Sequence, residues 1–98
     1  MITGDRTIMI DSLHRLSREA VAERAKLPFD APERQFYLGV EAAAEALIHP
    51  EIFAAKPADW LEHEPPPFRE GFLTTSGLIA GALSSPAVPA RLPLPSPA

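Results

Sequence analysis

The sequence predicts an all-α fold: a small three- to four-helix domain, built from an N-terminal helical hairpin and a C-terminal helix, with a disordered proline-rich tail. Three observations predict it. Apolar residues recur at helical spacing in three separate stretches. The block Asp30-Ala31-Pro32-Glu33 carries helix-start chemistry directly before the clearest of them. Prolines punctuate the chain between stretches and crowd its last thirteen residues. The expected organisation is a helical domain over residues 1–84 and an extended tail over 85–98.

The first helix is expected from about Asp5 to Lys26. Met9, Leu13, Leu16, Ala20 and Leu27 form one stripe, with Ile10 and Ser17 beside it. Thr3, Asp5 and Asp11 are each competent to cap its start. Arg15 with Glu19, and Glu23 with Lys26, are spaced for weak intrahelical pairing. Leu27-Pro28-Phe29 then breaks the helix and turns the chain into the second, so the two should form an antiparallel hairpin.

In the second helix Asp30 is the expected cap, and Glu33 sits where a capping-box side chain reaches back. Phe36, Val40, Ala43 and Leu47 form its stripe, widened by Tyr37, Ala44 and Ile48. Gly39 and Ala43, like Ala42 and Ala46, are four apart and would let another helix approach closely. Pro50 ends the helix, because the residue before a proline is pushed out of the α region. Residues 50–64 read as short helical turns, with Ile52, Phe53, Trp60 and Leu61 as apolar anchors.

Pro65-Pro66-Pro67 reads as a stiff polyproline spacer. The last helix is expected from about Phe68 to Leu83, with Phe68, Phe72, Ile79 and Leu83 as its stripe. Gly71, Gly77 and Gly81 each cost roughly 0.5–1 kcal/mol relative to alanine inside a helix. Gly77 and Gly81 share a face, so close contact with another helix is one explanation; the alternative is that the helix is short or breaks near Thr75-Ser76-Gly77. From Pro86 onward there are five prolines and a single charge, Arg91. That composition excludes helix and central strand and predicts a mobile segment.

Ninety-eight residues allow one domain with a thin stability margin. The chain has no cysteine, hence no disulfide framework and no thiolate chemistry. Its start lacks the basic-then-apolar pattern of a signal peptide. The segment from Gly71 to Leu83 is too short to span a bilayer. The expectation is a soluble, cytoplasmic protein. Arginine outnumbers lysine seven to two and alanine is abundant, a composition that suits a bacterial or phage genome. Net charge is −4, concentrated in residues 28–64, where eight acidic and two basic groups give −6. An acidic middle argues against a phosphate-binding face there and permits a basic protein partner.

Chemistry-bearing patterns are sparse. Glu41, Glu45 and His49 lie on one helix face, and His14 or Glu62-His63-Glu64 would have to complete a metal site. No spacing fixes such a set, so no metal ligand and no cofactor is expected. Thr74, Thr75 and Ser76 lack the G-x-S-x-G elbow of a serine nucleophile, and no catalytic residue is expected. Arg15, Arg18, Arg24 and Lys26 are interleaved with Asp11, Glu19 and Glu23, which argues against nucleic-acid binding.

What remains is surface. Trp60 and Leu61 lie in a proline-flanked acidic segment, where full burial is hard, and exposed tryptophan is a common binding anchor. With Gly77 and Gly81 they are the candidate partner-binding residues. The functional expectation is a non-catalytic protein–protein interaction module: a small adaptor, inhibitor or accessory subunit docking onto a larger bacterial or phage protein. The alternatives are a self-assembling helical protein and a small helical DNA-binding regulator.

Overall fold

The computed structural model describes residues 2–84 and 92–97, with side chains from Met9 onward. Its elements are helices α1 (Ile2–Ala25), α2 (Pro32–Ile48), α3 (Pro50–Ala54) and α4 (Pro66–Leu83), with a 3-10 turn at Trp60–His63 between α3 and α4. There is no strand among the described residues, so the fold is all-α.

α2 is the hub, with α1 packed along one side of it and α4 along another. α1 and α2 are joined by residues 26–31 and lie against one another, which makes them an antiparallel hairpin. α2 and α4 run parallel. Phe36 and Gly39 lie beside Gly71 and Phe68, while Ala43, Ala46 and Leu47 share a groove with Ser76, Ile79, Ala80 and Leu83. Positions rise together along both helices. Residues 49–65 therefore carry the chain back to the start of α2 before α4 begins.

Proline placement sets the helix starts. Ala31 precedes Pro32 and is held extended, at φ −68° and ψ 130°. It is therefore the N-cap of α2, and Asp30 lies one residue too early. No side chain caps this end, so the capping box expected from Asp30 and Glu33 does not form. The expected Pro65-Pro66-Pro67 spacer is also corrected. Pro65 is the extended N-cap of α4, and Pro66 and Pro67 form its first turn. The N–H groups missing there would have had no helical partner.

One buried cluster joins the elements: Met9, Leu13, Leu16 and Ala20 from α1; Phe36, Tyr37, Val40 and Ala44 from α2; Ile79 from α4; and Leu92. The last is a correction to the mobile tail. Residues 92–97 have neither helix nor strand, as their prolines dictate, yet Leu92 is only 2 % exposed and Leu94 packs against the same cluster. α1 and α4 pack on α2 rather than extensively on one another, and that leaves the core short of apolar cover. Two leucines in the tail supply it. The rest of the expected tail, residues 85–91 and Ala98, lies outside the described residues.

Candidate functional site

Among the described residues the polar contacts are mostly structural. Arg24 pairs with Glu41 at 3.0 Å across the α1–α2 hairpin, both side chains half-buried. The Nη1 group of Arg34 donates to the carbonyls of Arg24 and Leu27 at 2.9 and 3.1 Å. It thereby adds a second bond to the Arg24 carbonyl, which already accepts from the Leu27 N–H at 3.1 Å, and ties down the Leu27 carbonyl just beyond α1. The same guanidinium lies 5.6 Å from the centroid of Phe29, a ring that is 91 % exposed. Lys26 Nζ donates to Glu23 at 2.6 Å. That carboxylate holds the exposed ammonium above its ordinary lysine value. His49 lies 4.0 Å from Glu45 and 3.7 Å from Glu51. No three histidine or acidic side chains converge on a metal-sized site among the described residues. None of their helices is long and apolar enough to cross a membrane.

The four candidate interaction residues fall in two places. Trp60 is half-buried in an aromatic cluster, its centroid 5.6 Å from Phe53, 6.1 Å from Phe68 and 5.3 Å from Phe72. Lys56 Nζ covers the indole at 5.1 Å. Trp60 thus fastens the connector to α4, and Leu61 beside it is also half-buried. Gly77 and Gly81 lie further along α4 on its exposed side, where an added Cβ would meet open space.

The glycines in close contact are Gly39 and Gly71. A Cβ on Gly39 would strike the Phe68 carbonyl and stand 2.8 Å from the Phe72 nitrogen; one on Gly71 would strike the Phe36 carbonyl. Two helix backbones therefore touch at a reciprocal crossing, the arrangement in which Cα–H groups face carbonyl oxygens. Gly39 was legible in the sequence as a close-approach residue. Gly71 was visible only as a helix penalty, because its partner is 32 positions away.

Beside this crossing lies a shallow apolar groove of about 260 Å³, lined by Ala43, Ala46 and Leu47 of α2 and by Phe72, Ser76, Ile79, Ala80 and Leu83 of α4. Leu47 and Leu83 are each about half exposed. Through Ala80 the groove passes into the outer face of α4, which carries Leu73, Gly77 and Gly81. From Gly71 to Ser84 there is no charged residue at all. No single stretch of the sequence encodes this groove, because its walls come from two helices. Its signal was the presence of Leu47 and Leu83 on predicted core stripes at the ends of two helices, where covering elements run out.

With this surface defined, comparison with known proteins finds no matching family model, no matching curated protein and no matching solved structure.

Proposed function

We propose that this chain is a non-catalytic protein–protein interaction module, a small adaptor, inhibitor or accessory subunit that docks onto a larger bacterial or phage protein. The observation that carries the reading is the uncharged apolar groove between α2 and α4, flanked by Leu47 and Leu83 and continuous with the open face at Gly77 and Gly81. Exposed leucines gathered on one uncharged face mark a surface suited to a partner's apolar side chains. Gly77 and Gly81 would let the partner's backbone come close. Trp60 and Leu61 offer a second, partly exposed contact, and the acidic middle would steer a basic partner.

The test is affinity capture with Leu47→Asp and Leu83→Asp beside the parent chain, after nuclease treatment, followed by mass spectrometry and light scattering. One protein retained at fixed stoichiometry by the parent and lost by both variants is the expected result. A parent chain that captures only itself would transfer the groove to self-assembly. Capture that vanishes with nuclease would restore the nucleic-acid reading.

A further inference from the structure

A second groove is already occupied, by the chain's own C-terminal residues. Leu92 is sealed in the core with residues of α1, α2 and α4, and Leu94 packs against it. Pro97 reaches a cavity of about 170 Å³ lined by Pro32, Glu33 and Phe36 of α2 and by Pro67 and Glu70 of α4. Those residues belong to the first two turns of both helices. Residues 92–97 therefore lie antiparallel to α4 as an extended peptide.

We infer that residues 92–97 are a displaceable strap over a peptide-binding groove, and that the groove takes an extended, proline-flanked leucine segment of a partner protein ending in a basic residue. This stands apart from the interaction reading above, which concerns the opposite flank of the α2–α4 pair. Three observations support it. The strap has no helix or strand, and residues 92–97 make no hydrogen bond or ion pair with other described residues. Its hold is therefore the burial of two leucine side chains, which another Leu-Pro-Leu segment reproduces. Alternating prolines keep such a segment extended before it binds, so little ordering cost accompanies exchange. Pro97 leaves its cavity partly empty, and exposed Glu33 and Glu70 stand at the rim. A longer basic side chain at that position would fill the space and meet the two carboxylates.

Full-length protein with isotope-labelled leucine methyl groups is titrated with a synthetic peptide of residues 91–98, and with the same peptide carrying Pro97→Arg. The Leu92 methyl signals should move from a buried to a solvated position as peptide enters. The Pro97→Arg peptide should act at lower concentration, with an advantage that salt removes. A full-length Leu92→Asp variant, whose own strap is weakened, should bind labelled peptide about tenfold more tightly than the parent, because the intramolecular competitor is gone. Leu94→Asp, at a less buried position, should show the same gain in smaller measure. Leu92 signals unmoved by excess peptide would overturn the inference. So would a Leu92→Asp chain that loses its helices, together with a folded Leu94→Asp chain that binds no better than the parent.

Discussion

Glycines at four positions of this molecule have opposite consequences for substitution. At Gly39 and Gly71 a methyl group would be driven into the facing backbone, which cannot swing aside as a side chain does. Alanine at either should destabilise by about 1–3 kcal/mol, the usual range for overpacking a tight contact. At Gly77 and Gly81 the methyl group meets open space on a regular helix. Alanine there should stabilise by roughly 0.5–1 kcal/mol. Urea melts of the four single variants check both signs. Thr75 is a second residue-scale case. It is fully buried on α4 and its hydroxyl has no hydrogen-bond partner among the described residues. Thr75→Val should raise stability by about 1 kcal/mol, since an unsatisfied buried hydroxyl costs about that much or more. A fall in the melting midpoint would show that the hydroxyl is satisfied. Lys26 gives a pH sign. Its folded pKa is raised by Glu23, so the pair contributes below the ordinary lysine value of 10.5 and is lost as pH climbs through the raised value. The ammonium is exposed, so the contribution is small.

Among the elements, the helices were legible in the sequence to within a few residues, because apolar periodicity and proline both act locally. The errors fell where an interaction crosses the chain. Asp30 looked like a cap until Pro32 fixed Ala31 in that role, which is a local rule read one residue out of place. The tail looked mobile because its prolines exclude regular structure. Nothing local revealed that the core was short of two leucines. Likewise no spacing on α4 could tell Gly71, pressed on α2, from Gly77 and Gly81, facing solvent. The tail supplies a prediction of its own. Leu13→Ala, inside the hairpin, should cost about 3–5 kcal/mol, whereas Leu92→Ala should cost only about 1–2, because the strap can let go without the helices unfolding. Thermal melts of the two variants, followed by helix circular dichroism, check the difference. The connector should be the most labile region of the body, since neither α3 nor the 3-10 turn buries a residue fully. Amide hydrogen exchange should be faster throughout residues 50–64 than in the middle of α2.

Taken whole, the molecule is a flattened layer, 45 × 30 × 19 Å, with a Cα radius of gyration of 13.6 Å. A compact chain of this length would have about 12.6 Å. The excess follows from three helices arranged around a single hub rather than closed into a four-helix bundle. Both faces left by that arrangement matter: one is roofed by the strap and the other holds the open groove. Small-angle scattering tests the strap at this scale. Leu92→Asp should enlarge the radius of gyration while the helical signal persists. An unchanged radius would mean that the segment stays docked without its leucine.

The parallel pairing of α2 and α4 also has a consequence in time. The α1–α2 hairpin needs only the short link over residues 26–31 to close, whereas Gly39 and Gly71 meet only after 32 positions of chain have been brought round. Loop closure over that longer path costs roughly 1.5 kcal/mol more. The hairpin should therefore form early and α4 should dock late, once the aromatic connector has turned the chain. The glycine crossing would then be the latch that closes last, so that alanine at Gly71 hastens unfolding far more than it slows folding.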